Sequence, residues 1–304
     1  MVKKIGYIIC IVFTFLGCTL ENAKPLPDQH VVIASDFLQP KDRSIFKSFT
    51  KKTHIKVYII SLSAENIVKK LKNEKTATRI DAVLLSSLVS MKKIKDGRFI
   101  QHSQNAPILP IAYNPYVISL SNDTLNTKQT YRGVMKSNNW TALSKDPSYF
   151  TPMLAEAKHS LRKKKSNFPK WLSVFVDSKS KQDTTAINGN QISMYADYMK
   201  LDFTTKKQLK IIFPSEKTYT DVVSFAVVKQ ARNFSNALYI RQFIQREKIN
   251  KIIAARGNFF PILMTKKSTF SYQNQTFDWI VNNPIQLMNN FNYVEKCLTK
   301  EEKK

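Results

Sequence analysis

Two polar pairs follow short apolar segments whose length and composition predict buried strands. The first pair follows residues 31–34 and the second follows residues 82–85; the four members are Ser35, Asp36, Ser86 and Ser87. Ligands of α/β sheets bind at the carboxyl ends of the strands, so these four side chains are expected to face a ligand crevice. Serine in such places equally serves as a loop residue or a helix N-cap, and the sequence leaves both roles open.

The sequence contains no motif of an enzyme or of a resident cofactor. With 6 glycines in the chain, a glycine-rich nucleotide loop is not expected, and neither Gly-x-Ser-x-Gly nor Cys-x-x-Cys occurs. The 4 histidines lack the spacing of three or four residues that would place two imidazoles on one helix face for zinc. These residues are His30, His54, His102 and His159. We therefore predict a protein that is not an enzyme.

The N-terminus has the layout of a bacterial lipoprotein signal. Lys3 and Lys4 precede an apolar stretch that ends in a small residue directly before Cys18. The stretch is shorter than the roughly 20 residues that a membrane-spanning helix needs, which disfavours an uncleaved anchor. We expect residues 1–17 to be removed as a signal peptide, Cys18 to carry the lipid, and residues 18–28 to form a tether. The protein would then be held in the bacterial cell envelope, on its periplasmic or extracellular face.

The number of available cysteines is too small for an intrachain disulfide. Of the 3 cysteines, Cys10 would leave with the signal peptide and Cys18 would be acylated, so only Cys297 remains. We expect neither an intrachain disulfide nor a cysteine-based metal site.

Basic residues outnumber acidic residues by more than two to one. Lys and Arg total 48 against 22 Asp and Glu, which gives a formal net charge of +26. Such a field favours anionic ligands, anionic lipid head groups or nucleic acid, and the charge alone does not choose among them. The densest run, at residues 162–165, fits either an anion-binding segment or a solvated helix end. We expect no nucleic-acid partner.

The hydrophobic pattern from residue 30 onwards alternates between strand and helix. Residues 31–34, 55–60 and 82–85 are apolar runs of strand length, and residues 41–51 and 63–72 repeat apolar side chains at helical spacing. This alternation predicts βαβ units, and therefore an α/β fold in which helices cover a parallel sheet.

Residues 31–55, VVIASDFLQPKDRSIFKSFTKKTHI, resemble without gaps the opening of the periplasmic ferric-ion-binding proteins, the substrate-binding components of ABC importers. In that family a strand, a loop and a helix ending in Phe-Thr-x-x-Thr-Gly-Ile lead into a second strand. The resemblance continues in later segments, at residues 81–85, 110–114, 213–214, 222–231 and 258–261. Together these segments touch most of residues 31–263.

The resemblance implies both a fold and a function. The fold is the two-lobed class II periplasmic-binding-protein fold, in which two crossing strands join the lobes and the ligand cleft lies between them. Lobe one is then expected to comprise residues 29–112 and 221–304, with the alternative that the C-terminal tail returns to lobe two, and lobe two comprises residues 113–220. The implied function is capture of a small solute for an ABC permease, which is binding rather than catalysis.

The resemblance also implies a set of metal ligands, of which this sequence keeps only a part. The family holds ferric ion with tyrosines, often together with a His-Tyr pair in the first loop, because phenolate oxygen is a hard anionic donor. Here the first-loop pair falls on Leu38 and Gln39, which replace neither an imidazole nor a phenolate. The remaining positions match Tyr149 and Tyr198, and a further oxygen would come from Asp197 or Tyr195.

Two ligand classes are compatible with these residues. The first is ferric ion or a ferric chelate, held by Tyr149, Tyr198 and Asp197, with Ser35, Asp36, solvent or a bound anion completing the metal shell. The second, which we favour, is an organic or anionic solute bound by neutral hydrogen-bond donors. The donors expected for that class are Ser35, Ser86, Ser224, the tyrosines and nearby helix N-termini.

A protein of a different class would keep the same fold without transporting a solute. A surface adhesin, an assembly factor or a sensor lipoprotein fits the anchor signal equally well, and the absent His-Tyr pair leaves this alternative open. A permease and an ATPase encoded beside the gene would favour transport.

Overall fold

The computed structural model describes residues 29–73, 79–100, 108–121, 130–131, 140–142, 190–214, 218–262, 269–272 and 275–281. The expected signal peptide and tether, Cys18, Cys297, Tyr149 and the basic run at 162–165 lie outside these residues. Within the described ranges, no helix is both long enough and apolar enough to cross a membrane.

The first part of the chain alternates between strands and helices, as its hydrophobic pattern predicts. The elements are β1 (His30–Ser35), a 3-10 helix (Pro40–Phe46), α1 (Lys47–Thr53), β2 (Lys56–Ser61), α2 (Ala64–Lys72), β3 (Ala82–Leu85) and α3 (Leu88–Asp96). β1 lies between β2 and β3 and pairs with both of them in parallel. The carboxyl ends of β1 and β3 therefore lie side by side.

The helix predicted over residues 41–51 is divided into two. A 3-10 helix begins at Pro40, where Asp42 Oδ2 accepts a hydrogen bond from the backbone N–H of Gln39 at 2.8 Å. α1 follows directly, and His54 caps its C-terminus. His54 has a left-handed φ of 58° and donates its backbone N–H to Thr50 O at 2.9 Å. A left-handed residue after the last turn ends a helix, and this position favours glycine.

The second part of the chain is richer in strands. The elements are β4 (Leu109–Ser121), β5 (Trp140–Ala142), β6 (Asn190–Met194), α4 (Tyr195–Tyr198), α5 (Phe203–Gln208), β7 (Leu209–Ile212), β8 (Thr218–Val227), α6 (Phe234–Ile244), α7 (Glu247–Arg256), β9 (Phe260–Pro261), β10 (Thr269–Tyr272) and β11 (Gln275–Val281).

β4 joins the two halves of the sheet system. From Leu109 to Pro115 it pairs antiparallel with β8, whereas from Tyr116 onwards it pairs antiparallel with β6 and β7. We call β2, β1, β3, β8 and the first half of β4 the first sheet, and the second half of β4 with β6, β5 and β7 the second sheet. The strand predicted at residues 110–114 is thus the start of a longer strand that continues from one sheet into the other.

The predicted parallel pairing is confirmed for β1, β2 and β3, and β8 makes the first sheet as a whole mixed. β8 pairs antiparallel with β3, with Leu84 opposite Phe225. β8 follows β7, so the chain enters the first sheet from the second one and runs against the direction of β3. The hydrophobic pattern of β8 does not encode this direction, because a strand that is buried on both faces has an apolar run in either orientation.

Helices cover both faces of the first sheet. On one face, the rings of Phe46 and Phe49 lie 6.2 and 5.2 Å from that of Phe243 in α6. On the other face, α2 and α3 contribute Ile67 and Ile94 to a second apolar cluster. Burial of apolar side chains on both faces of the first sheet stabilises β1 and β3. It thereby fixes the position of their carboxyl ends.

The residues of β3 alternate between the two clusters. Ala82 and Leu84 belong to the cluster around Phe46, whereas Val83 and Leu85 belong to the cluster around Ile67. Because both faces of β3 are buried, its sequence is continuously apolar.

Candidate functional site

A cavity of about 410 Å³ lies where the first sheet meets the second. The first sheet and its loops contribute most of the wall: Asp36, Phe37, Gln39, Ser63, Ala64, Ser86, Ser87, Ser90 and the residues Arg256, Gly257, Asn258 and Phe259. The opposite wall comes from the second sheet and the segment after it, with Met194, Ala196, Asp197 and Lys200, and Asn114 lies on the part of β4 that still pairs with β8. Four residues proposed from the sequence, Asp36, Ser86, Ser87 and Asp197, are thus brought together.

Asp36 connects the carboxyl ends of β1 and β3. Its Oδ1 accepts from the backbone N–H of Ser86 at 2.9 Å, and its Oδ2 accepts from Ser86 Oγ at 2.8 Å. Burial raises the pKa of Asp36 to about 6, although the Ser86 hydrogen bonds and the charge of Lys200 act in the opposite direction. This carboxylate is therefore poised to gain or lose a proton near neutral pH.

The other proposed serines make local hydrogen bonds. Ser35 Oγ accepts from the backbone N–H of Leu38 at 3.1 Å, and Ser87 Oγ caps α3 by accepting from Val89 N–H at 3.1 Å. Ser224 is buried in β8 and donates to Val222 O at 3.3 Å, and it is not among the residues that line the cavity. Of these three serines, only Ser87 combines its local role with a place on the cavity wall.

Two basic residues that the sequence did not single out lie on the cavity wall. Lys200 Nζ lies 2.7 Å from Asp197 Oδ1, and Arg256 Nε lies 3.3 Å from Asp42 Oδ1. Asp42 is itself buried, because it closes the first turn of the 3-10 helix. Arg256 lies just before residues 258–261, which resemble the ferric-ion-binding family, and this position is the sequence feature that could have indicated it. One arginine among many basic residues is not enough to predict a binding role.

The apolar part of the wall is an aromatic pair. The rings of Phe37 and Phe259 meet edge to face, with centroids 5.0 Å apart and an interplanar angle of 86°. Asn258, with a left-handed φ of 57°, ends α7, and Phe259 N–H donates to Ala254 O at 2.9 Å. A Cβ at Gly257 would overlap the ring of Phe259, so only glycine allows this ring to reach the cavity.

The two described tyrosines of the proposed metal set lie in an apolar cluster. Tyr195 and Tyr198 are about nine-tenths buried and pack with Val117, Leu209 and Phe213. The turn of α4 that carries them presents Ala196 and Asp197, not the tyrosines, among the cavity-lining residues. Tyr149 lies outside the described residues.

The charged side chains at the cavity bear on the proposed metal site. Across the described ranges, no group of three or more His, Cys, Asp or Glu side chains converges as metal ligands do. At the cavity, the carboxylates of Asp36 and Asp197 are accompanied by the cations of Lys200 and Arg256. The cavity wall therefore carries side chains of both charge signs.

Comparison with known proteins identifies the architecture. Neither a family model nor a curated protein sequence matches this chain. Ferric iron-binding protein A from Mannheimia haemolytica, in an open conformation, matches with a TM-score of 0.68 at 20% identity over 90% of this chain and 98% of that chain. The ferric binding protein from Campylobacter jejuni matches with a TM-score of 0.66 at 17% identity, covering 89% and 98% of the two chains.

A binding protein for a different kind of solute matches as well. The spermidine/putrescine ABC transporter substrate-binding protein from Streptococcus pneumoniae gives a TM-score of 0.58 at 13% identity over 90% of this chain and 99% of that chain. The same architecture therefore accompanies a metal ion in some of these proteins and a polyamine in another. The chain has the two-lobed α/β fold of class II periplasmic binding proteins, as its resemblance to the ferric-ion-binding family predicted.

Proposed function

We propose that this chain is the solute-binding component of an ABC importer, anchored to the cell envelope by a lipid on Cys18. The observation that carries the proposal is the cavity of about 410 Å³ whose wall comes from both sheets. A polar cavity shared by two parts of a protein allows a solute to be enclosed and released by a hinge motion. The likeness to solved solute-binding proteins supports this function.

In this proposal the two sheets are the centres of the two lobes. Lobe one comprises residues 29–112 and 221–304, and lobe two comprises residues 113–220. The chain leaves the first sheet within β4 and returns between β7 and β8, which supports a hinge of two passages. β11 pairs with Thr218–Thr220, the part of β8 that falls within lobe two, and this supports the alternative in which the C-terminal segment returns to lobe two. Closure of this hinge would give a membrane permease a shape to recognise.

The solute in this proposal is an organic molecule that carries a carboxylate. Lys200 and Arg256 supply cationic donors to the cavity, and an arginine fork suits a carboxylate well. Ferric ion alone is disfavoured because Leu38 is buried in the core and the two described tyrosines pack in an apolar cluster. A ferric chelate that presents carboxylates remains a probe for the same cavity.

A thermal-shift screen of the mature lipoprotein in detergent tests this function. We expect small organic carboxylates to raise the Tm in a saturable manner, and Arg256→Gln to weaken that binding at least tenfold. Lys251→Gln is the matched control: Lys251 lies on the same helix, pairs with Glu247 at 2.7 Å and is not among the cavity-lining residues. It should leave binding unchanged.

Other outcomes of the screen would change the proposal. Stabilisation by ferric citrate with a phenolate-to-iron absorption band, lost in Tyr149→Phe, would show a metal site instead. If iron chelates, oxyanions and organic anions all leave the Tm unchanged, the transport function is wrong. A surface or sensor lipoprotein that retains the binding fold would then be favoured.

A further inference from the structure

We propose that the solute is a zwitterion whose protonated amine lies beside Asp36, whose carboxylate lies beside Lys200 and Arg256, and whose apolar body rests on Phe37 and Phe259. The inference rests on the proposed function and narrows its ligand class.

The first step concerns the partners of the charged groups. Each cation at the cavity already has a carboxylate beside it: Lys200 has Asp197 at 2.7 Å and Arg256 has Asp42 at 3.3 Å. Asp36 differs, because its hydrogen-bond donors among the described residues are the neutral N–H and hydroxyl of Ser86. Lys200 acts on Asp36 only through its charge at longer range.

A carboxylate with neutral partners in an enclosed site favours a cation that arrives with the ligand. Enclosing an ionised carboxylate without a counter-charge is unfavourable, and an adjacent ammonium group removes much of that penalty. The backbone N–H of Ser86 is shared between both oxygens of Asp36 and the Ser86 hydroxyl donates to Oδ2, so a lone pair of Oδ1 remains for an incoming N–H donor.

The second step excludes ligands that carry charge of a single sign. A simple anion would meet the carboxylates of Asp36 and Asp197, whereas a simple cation would offer no acceptor to the remaining N–H donors of Lys200 and Arg256. Like charges repel more strongly in a partly desolvated site than in water, and a closed cleft reduces the screening further. A solute with one charge of each sign satisfies both sets.

The third step concerns the apolar part of the solute. Phe37 and Phe259 form an edge-to-face pair on the wall, and Met194 and Ala196 line the opposite side. Apolar surfaces on two facing walls favour a ligand with a hydrocarbon or aromatic body between its polar ends. Together the three steps describe a small amino-acid-like molecule.

Binding measurements on the intact lipoprotein test the inference with matched probes. The twenty common amino acids are screened by thermal shift. The zwitterion that stabilises most is then compared by calorimetry with its amine lacking the carboxylate and its acid lacking the amine. We expect each single-charge analogue to bind at least tenfold more weakly than the zwitterion.

Variants locate the two charges. Asp36→Asn should weaken the zwitterion at least tenfold while changing the affinity for the deaminated acid less than threefold, because only the zwitterion offers an amine. Asp96→Asn, which removes a carboxylate paired with Lys92 outside the cavity lining, is the matched control and should change neither affinity. The comparison of probes on the unmodified protein keeps the inference testable if Asp36→Asn does not fold.

Two results overturn the inference, and they differ in what they say of the proposed function. If the deaminated acid binds as tightly as the zwitterion, or if every zwitterion fails while other carboxylates bind, the inference is wrong and the solute-binding function stands. If no probe of any class stabilises the protein, both are wrong.

Discussion

Asn114 and Asp221 lie opposite each other in the pairing of β4 with β8, and each fixes the start of a helix beside the cavity. Asn114 Oδ1 accepts from the backbone N–H of Ala196 in α4 at 3.2 Å. Asp221 Oδ1 accepts from the backbone N–H of Leu88, the first residue of α3, at 2.8 Å. A single pair in the sheet register thus positions cavity walls that belong to both sheets.

Asp221→Ala should lower the free energy of unfolding by about 2–3 kcal/mol, because it removes the buried acceptor of the Leu88 and Val222 N–H groups. Asp202→Ala is the matched control, since Asp202 caps α5 at an exposed position and accepts from Thr205 N–H at 2.9 Å. Its loss should be clearly smaller, because water replaces the hydrogen bond at an exposed cap. Urea denaturation measures both, and equal losses would contradict the structural role given to Asp221.

Gly257→Ala should weaken solute binding, because the added methyl overlaps the Phe259 ring and moves it from the cavity wall. Gly97→Ala is the matched control. The residues Gly97-Arg98-Phe99 follow α3, Arg98 has a left-handed φ, and a Cβ at Gly97 would overlap the Phe99 ring. Both variants should lose about 1–3 kcal/mol of stability in urea denaturation. Only Gly257→Ala should also reduce affinity in calorimetry; the same reduction in both would argue against a wall formed by Phe259.

His54→Gly should stabilise the protein by about 0.5–1 kcal/mol, since His54 holds a left-handed φ of 58° that glycine adopts without strain. The resembling family carries glycine at this position. His54→Ala is the control, because it removes the imidazole but keeps a side chain with the same backbone strain, and its stability should stay close to that of the unmodified chain. A gain in both variants would assign the effect to the imidazole instead.

Stability should depend on pH through Asp36. The folded pKa of about 6 lies above the ordinary value of 3.8, so between these values the folded protein binds the proton more readily than the unfolded chain. Stability contributed by this group is therefore present at low pH and is lost as pH rises towards 6, by on the order of 3 kcal/mol in total.

The stability difference between the unmodified protein and Asp36→Asn reports this dependence. In chemical denaturation at pH 4, 5, 6 and 7, the free energy of unfolding of the unmodified protein should fall relative to that of the variant as pH rises. A difference that stays constant over this range would show that Asp36 is not enclosed.

Cys18→Ala should leave an unprocessed precursor that takes up no labelled fatty acid, because the thiol is the expected site of acylation. Cys297→Ala is the control and should be processed and labelled as usual. Label retained on the Cys18 variant would contradict lipid anchoring at that residue.

Part of the site could be found from the sequence because it lies at strand ends. Asp36 follows the apolar run of β1, and Ser86 follows that of β3. Because β1 and β3 pair in parallel, their carboxyl ends are adjacent and the two residues come into contact. Asp197 was found through the family resemblance, since it lies between the matched tyrosines. Strand ends and motif matches are properties of local sequence.

The remainder depends on contacts between distant segments. Phe37 and Phe259 are separated by most of the chain and meet only because α7 packs beside the loop after β1. Ser224 follows the same apolar pattern as a strand-end residue, yet it lies within β8 opposite Leu85. Tyr195 and Tyr198 match a ligand motif but face an apolar cluster, because helical turn geometry turns the intervening Asp197 towards the cavity.

The antiparallel pairing of β3 with β8 joins two strands that are synthesised at different times. β3 is made early, and all four of its residues are buried in the finished protein, but its partner β8 starts only at Thr218. A chain that ends between residues 85 and 218 therefore carries an open, apolar strand edge, a state that invites wrong pairing. Phe259 is made later still, so the cavity wall is complete only once most of the chain has been made.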